Sequence, residues 1–497
     1  VLEHNPHIVI FSDVTSEGFG RYAGPYKIAS DLRSSGFIVQ VIEYFTRWST
    51  RDLKIIIKKF VTQDTLWVGI STTFLAPSDD TSAFAYIKRD ELSYRDASFY
   101  DKFKLFPYQE VVGRNDWPEI ADFIRTINEN CKLVMGGYRV SSLSRDTIDP
   151  YIDYIISGEG ESSALFLSLE LQKNKTLPKI LSEPYNGYSH SVLRYEDNDL
   201  IFKKEHLPIE IARGCIFKCA FCSYALNGKK LWEFNRKPNL VREDIEYIYE
   251  KFGSTGFMFC DDTYNDSPEK VIRFHQEFQK LNHKIEFSSY LRLDLIISHW
   301  ETAQLLYESG LRSVYFGVES LNHESAKSVG KGMHPQKLKE GLYRLKELCP
   351  DLVISLGMIL GLPYDTEETL RKNHSWFLES DCPVDCVSYS PFYIEFNSPF
   401  HPNNSKISKN PDKYGYKVHS HNKWTRNDGI TFDDMLKLDS DIGNYNRSYK
   451  GNFTYFNRLQ NIGYTYEDMS NDRINTEDII RRENLLFKKY RSRLASL

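Results

Sequence analysis

The sequence predicts an α/β chain of three parts: a doubly wound, Rossmann-like domain, a partial (β/α)6 TIM-like barrel and an α-rich C-terminal extension. Three observations predict it. Short, fully apolar runs alternate with amphipathic helical stretches, the pattern of parallel strands buried on both faces. The alternation runs twice, separated by a polar stretch over 175–205. After about residue 400 it stops, and polar sequence gives way to aromatic, helix-forming sequence.

The first domain is expected over 1–180. HIVIF (7–11) is its first strand, and a helical pattern from Tyr22 to Ser35 ends at Gly36. IVQVIEY (38–44), a helix over 51–60 and LWVGIST (66–72) follow. A further helix begins near Pro118, whose fixed φ suits a first turn. KLVMGG (132–137), YIISG (154–158) and a helix over 163–172 complete the series. A ligand of such a sheet sits at the carboxyl ends of its strands. Residues 75–116 interrupt the rhythm with a polar, aromatic insertion. A connection that long is functional or an inserted subdomain. The glycines of GFGRYAG (18–24) suggest a dinucleotide loop, but Gly18 and Gly20 are followed by Gly24, one position too late for G-x-G-x-x-G. Glu43 is the acidic candidate at the second strand, and the nicotinamide dinucleotide reading is set aside.

The second domain is expected over 205–395. Its strands read PIEIA (208–212), GFMFC (256–260), KIEFSSY (284–290), SVYFGV (313–318), VISLGMIL (353–360) and CVSYSPF (386–392). Helical patterns lie between them, as in 267–281 and 366–379. Six βα units make a barrel short of the usual eight, with its chemistry on the loops after each strand. The extension, 396–497, ends in IRRENLLFKKYRSRL, read as a solvated surface helix or a basic amphipathic helix for a partner.

Composition narrows the function. Lys plus Arg is 63 against 68 for Asp plus Glu, a net charge of −5, so no global basic field draws nucleic acid or a membrane surface. No run of about 18 apolar residues marks a transmembrane helix. VLEHNPHIVIFS has neither a basic n-region nor a long apolar core, so no signal peptide is expected. Eight cysteines in so long a chain are no secreted disulfide framework, and a reducing, cytoplasmic setting is expected.

Three of those cysteines fall within eight residues. RGCIFKCAFCSYA sets Cys215, Cys219 and Cys222 in the spacing C-x3-C-x2-C, directly after the first barrel strand. Three thiolates on one loop can hold three irons of a [4Fe-4S] cluster and leave the fourth open. A structural zinc site instead takes four ligands, usually in C-x2-C pairs, and no second pair lies nearby in sequence.

This loop, with an aromatic (Phe221) before its last cysteine, resembles the signature of the radical S-adenosylmethionine (SAM) superfamily. The resemblance extends over about 205–395. It implies that SAM binds the open iron and is cleaved reductively to a 5′-deoxyadenosyl radical, which abstracts hydrogen from an unactivated C–H bond. It also implies SAM contacts at later strand ends. Asp261 and Asp262 in FCDDTYND would accept from the SAM amino group in place of a GGE segment. Ser288 and Arg292 in SSYLRLD would meet the carboxylate, and Glu319 in FGVES a ribose hydroxyl. Gly357 and Gly361 in LGMILGLP would lie along adenine, or merely relieve packing.

The first domain is similar to the cobalamin-binding-type domain that precedes the barrel in one branch of that superfamily. The echoes lie in the first βαβ unit, VGISTTF, VMGGYRV and YIISGEGES. On this resemblance Ser71, Thr72, Gly136, Gly137, Gly158 and Glu159 would line the corrin or its nucleotide tail. The D-x-H-x-x-G motif is missing from the first loop, which removes one mode of cobalt ligation and leaves cobalamin binding open.

With cobalamin, the implied reaction is methyl transfer. Without it, the implied reaction is a rearrangement, epimerisation or cyclisation of a peptide or natural-product precursor. A sensor that binds cobalamin or SAM, with a structural cluster, is the non-enzyme alternative. Cys260, Cys382 and Cys386 are expected at or near strand ends on the active face, where a thiol donates hydrogen; as lone cysteines they also read as small core residues. The expected partners are a small-molecule, nucleoside or peptide substrate and a reductant such as flavodoxin or ferredoxin.

Overall fold

The computed structural model describes residues 5–13, 20–72, 76–77, 84–85, 116–137, 140, 150–224, 226–394, 405–420, 423–443, 445–446, 453–470 and 474–497. Gly18 and nearly all of the insertion 75–116 lie outside them.

In the first domain the strands are β1 (Ile8–Phe11), β2 (Val39–Ile42), β3 (Trp67–Ser71), a short pair β4 (Ala76–Pro77) and β5 (Phe84–Ala85), β6 (Lys132–Gly136), β7 (Tyr154–Ile156) and β8 (Ile180–Leu181). The parallel sheet runs β2-β1-β3-β6-β7-β8, so its order reverses between β1 and β3. Alternation along β1 decides its two faces. Ile8 and Ile10 join one apolar cluster, Val9 and Phe11 the other. The helix Thr50–Phe60 starts where Ser49 accepts from the Asp52 N–H, and it buries Leu53, Ile56, Ile57 and Phe60 at helical spacing.

The segment 175–205, read as a polar linker, is built into the fold. It supplies β8, and Leu193 and Tyr195 are fully buried. Arg21 of the first domain pairs with Glu205 at 2.7 Å, both side chains shielded from water. Asp199 of the same stretch pairs with Arg33 at 2.7 Å.

The barrel strands are β9 (Leu207–Glu210), β10 (Gly256–Cys260), β11 (Glu286–Leu291), β12 (Leu311–Glu319), β13 (Val353–Leu360) and β14 (Cys386–Pro391). They pair in sequence order, all parallel. Phe259 stacks on Phe287 at 4.1 Å and meets Phe278 of the helix Pro268–Phe278, so these residues face outward. Their neighbours Met258, Cys260, Ser288 and Tyr290 therefore face the lumen, and by register so do Ser313, Tyr315, Ser355, Gly357, Cys386 and Ser388.

The C-terminal extension is mainly helical but also closes the barrel at both ends. The hairpin β15 (Tyr416–Ser420) and β16 (Lys423–Arg426) straps the carboxyl ends of β13 and β14: Tyr416 donates to the Gly361 carbonyl at 2.7 Å and Trp424 to that of Phe392 at 2.8 Å. The strand β17 (Tyr445–Asn446) adds antiparallel to the edge of β14. The helix Phe453–Asn461 lies against β10 to β13 near their amino ends. The terminal helix Thr476–Ser496 is not a free surface element. Tyr490 and Leu494 are buried in the second cluster, and the Tyr490 hydroxyl accepts from the Glu43 N–H.

Candidate cluster and SAM site

The cysteine loop leaves β9 and is held by its own backbone. The Cys215 N–H donates to the Leu226 carbonyl at 3.2 Å, and the Cys215 carbonyl accepts from Gly228 at 2.7 Å. Gly214 (φ +72°) is required here, because an added Cβ would lie 2.5 Å from the Leu226 carbonyl oxygen. Cys219 is buried, and Cys215 and Cys222 are half-buried. Burial pushes the Cys215 thiol up and the Cys222 thiol up to about 12. The Cys215 sulfur lies 3.1 Å from the Thr263 hydroxyl, and Arg292 Nη1 donates to Cys219 at 3.5 Å. Among the described residues no three potential ligands already stand in a metal cage. The loop itself carries three thiols, and three thiolates are the donor set of a cluster with an open iron. Phe221 is partly buried and packs on the barrel core.

The strand ends sort the expected SAM residues. Asp261 is buried and committed: Lys270 pairs with it at 2.7 Å and with Asp266 at 3.3 Å. Asp262 reaches solvent and accepts from the Gly214 N–H at 2.7 Å, which ties the acidic turn to the cysteine loop. Desolvation by the surrounding rim, and next the charge of Asp261, push Asp262 up to about 6. Glu319 ends β12 with φ +69°, a costly conformation for a side chain with a Cβ, beside Lys331 at 3.5 Å. Lys331 also donates to the Gly317 carbonyl at 2.8 Å.

Ser288, Arg292 and the two glycines all meet neighbours within the protein. Ser288 is not at the rim: it is the third residue of β11, fully buried, and its hydroxyl accepts from Asn457 Nδ2 at 2.6 Å. The sequence pattern set it on a strand, but only the C-terminal helix shows which end it faces. Arg292 does sit at the rim, yet Asp294 takes Nε and Nη2, at 3.0 and 2.6 Å, and Cys219 takes Nη1. Both glycines sit where a side chain would clash, in keeping with the packing alternative. A Cβ at Gly357 would come within 2.3 Å of the Tyr315 hydroxyl, and one at Gly361 within 2.8 Å of the Trp424 ring.

The cysteines outside the loop divide differently from the expectation. Cys260 ends β10 on the lumen side, and burial raises its thiol strongly. Cys386 opens β14 and Cys382 precedes it, both buried, so they stand at the amino end of that strand, away from the rim. Tyr389 faces outward and pairs with His374 at 2.9 Å.

In the first domain, Ser71 ends β3 half-buried. Thr72 is buried and returns both its N–H and its hydroxyl to the Gly136 carbonyl, at 2.7 and 3.0 Å, so it is spent internally. Glu159 is spent as well: it accepts from Arg213 at 3.4 Å and from the Tyr185 N–H at 3.3 Å. Gly136 ends β6, and beyond it Gly137 (φ +110°) and Gly158 (φ +82°) are exposed. This edge suits a flat group approaching the backbone closely, with Thr72 and Glu159 beside it already bonded within the protein.

Sequence reasoning missed Arg213. Its guanidinium gathers Glu210 of β9, at 2.7 Å, and Glu159 and Glu161 of the first domain, and it stacks on Tyr188 at 4.7 Å. Arg213 immediately precedes Gly214 and Cys215, so one side chain joins the carboxyl edge of the first sheet to the cysteine loop.

The model of the "Radical SAM superfamily" matches residues 209–377, which span the cysteine loop and strands β9 to β13. The barrel is thus similar to radical SAM domains. An uncharacterised methyltransferase of Pyrococcus horikoshii is 27% identical over 298 residues, 55% of this chain and 62% of its own length. The chain spans less than two thirds of the curated relatives it matches. Among solved structures, the radical SAM methyltransferase TsrM from Kitasatospora setae, with cobalamin and a [4Fe-4S] cluster bound, aligns with a TM-score of 0.59 at 18% identity, over 84% of this chain and 80% of that one. The cobalamin-dependent radical enzyme OxsB, with aqua-cobalamin and SAM bound, aligns with a TM-score of 0.58 at 15% identity, over 99% and 72%. These likenesses show that the fold around the radical SAM domain, first domain included, is that of the two solved enzymes. Among the described residues no helix is long and apolar enough to cross a membrane.

Proposed function

We propose that the chain is a radical SAM enzyme that functionalises an unactivated C–H bond, by cobalamin-dependent methyl transfer. The observation that carries this reading is the Arg213 bridge. It holds the glycine-rich edge of the first sheet beside the loop of Cys215, Cys219 and Cys222, where a corrin and a cluster would act on one substrate. The similar methyltransferases named above support the choice of methyl transfer.

On this reading residues 1–180 hold cobalamin, 205–395 hold the cluster and SAM, and 396–497 close the barrel. When bound, the cluster and SAM supply a one-electron cleavage to a carbon radical, and cobalamin supplies the methyl group. The chain's own residues bind and orient. Cys215, Cys219 and Cys222 ligate the cluster. Asp262, with Asp261 neutralised by Lys270, accepts from the SAM ammonium. Glu319, held by Lys331, meets a ribose hydroxyl, and Phe221 packs beside SAM. Ser71, Gly136, Gly137 and Gly158 form the corrin-facing edge. The hydroxyls of Tyr315 and Ser388, bonded to each other at 2.8 Å on the lumen side of β13, orient a small-molecule, nucleoside or peptide substrate, with Cys260 as the thiol outside the cluster loop near its reacting end. The strap β15–β16 and the helix Phe453–Asn461 exclude water from both ends. The electron comes from a flavodoxin or ferredoxin in the cytoplasm.

The test is anaerobic incubation of the reconstituted protein with SAM, hydroxocobalamin and a chemical reductant. Formation of both 5′-deoxyadenosine and S-adenosylhomocysteine supports methyl transfer. The first product alone, from protein that binds no cobalamin, turns the reading to a rearrangement, epimerisation or cyclisation. Neither product, from cluster-loaded protein, leaves a sensor.

A further inference from the structure

We propose that Arg292 is a positioning residue of the cluster loop, whose charge-assisted hydrogen bond to Cys219 raises the reduction potential of the cluster held there. This rests on the radical SAM reading above. The guanidinium is oriented before any ligand arrives. Asp294 takes Nε and Nη2 in a bidentate pair at 3.0 and 2.6 Å, which leaves Nη1 directed at the Cys219 sulfur, 3.5 Å away. The Phe217 ring covers one face of the guanidinium at 4.0 Å. The backbone is pinned as well: the Arg292 N–H donates to Asn265 Oδ1 at 2.8 Å, and Asn265 Nδ2 donates to the Arg292 carbonyl at 2.9 Å. Arg292 is 6% exposed, so water screens its charge little. Burial alone would raise the Asp294 carboxyl, but its bonds to Arg292 hold it below the usual range, so the pair stays ionised.

One-electron reduction of an iron–sulfur cluster adds negative charge that is shared with its sulfur ligands. A donor and a buried positive charge at one of those sulfurs favour the reduced state. A lysine could not pair with Asp294 in the same bidentate fork while holding a fixed N–H toward Cys219. Three of the five guanidinium N–H donors are taken in this way.

The experiment is an anaerobic redox titration of the cluster-loaded protein without SAM, followed by electron paramagnetic resonance, with iron content and SAM affinity measured in parallel. Arg292→Met is expected to shift the midpoint to more negative potential. At the wild-type midpoint its reduced fraction then falls about fivefold. Asp294→Asn, which keeps the guanidinium but loosens it, moves the same way by less, and SAM affinity changes by no more than about twofold in either. A loaded Arg292→Met protein that titrates at the wild-type potential, or a positive shift, overturns the proposal. So does a large loss of SAM affinity at unchanged potential, which returns Arg292 to the carboxylate. If Arg292→Met does not load, Asp294→Asn decides by the same criteria. Wild-type protein that assembles no cluster overturns the radical SAM reading together with this one.

Discussion

Arg213 Nη2 is bonded to Glu161 Oε1 across the boundary between the two sheets, and both side chains are largely withdrawn from water. Burial would raise the Glu161 carboxyl, but Arg213 outweighs it and holds the group below its ordinary range. The stabilisation is therefore present above the unfolded carboxyl range, near pH 4.5, and is lost as pH falls through the folded value. Arg213→Met leaves Glu159, Glu161 and Glu210 without their common partner, and should cost about 2–4 kcal/mol at pH 7. In Arg213→Met/Glu161→Gln the loss should shrink by a third or more, roughly, since one stranded charge is gone. Urea denaturation of the four members of the cycle measures both.

The Asp262 carboxyl, pushed up to about 6, must be ionised to hold an ammonium group. Affinity for SAM is thus expected to be full above pH 7 and to fall through pH 6, becoming about tenfold weaker one unit below it. Calorimetric titration of cluster-loaded protein from pH 7.5 to 5 shows the profile. Asp262→Asn should bind weakly at every pH and lack the inflection.

Glu43 is fully buried at the end of β2. Burial pushes its carboxyl up to about 7, against the pull of Arg21. A raised carboxyl favours the folded state at low pH. Its ionisation penalty begins near the unfolded value of about 4.5 and is complete above pH 7. Glu43→Gln should raise the melting temperature at pH 8 by several degrees and far less at pH 5. An equal rise at both would locate the effect in packing.

Ser288 and Asn457 join the barrel lumen to a helix far along the chain. Asn457→Ala should destabilise by about 1–2 kcal/mol, since it strands a buried hydroxyl, with no change in SAM affinity. Thermal unfolding and SAM titration together check this; a matching loss of SAM binding would restore Ser288 to the cofactor.

Replacing Cys215, Cys219 or Cys222 by alanine should abolish the broad cluster absorption of reconstituted protein. The same change at Cys382 or Cys386 should leave both absorption and 5′-deoxyadenosine formation within about twofold, since each is a small buried hydrophobe. Visible spectra and product assays of the five variants separate the two groups.

The sequence by itself determined both parallel sheets, because strands buried on two faces must be apolar throughout and the helices between them amphipathic. It determined the cysteine loop too, since the three thiols lie close along the chain and local spacing carries the chemistry. What the tertiary structure decided depends on contacts between distant segments. Ser288 faces a helix 169 residues away rather than the rim, and no local pattern announces that. Arg213 was visible beside the loop, but its three carboxylates come from both sheets. A lone arginine in a sequence carries no sign of them, because a charge shows its purpose only through the partners that folding brings within a few ångströms of it.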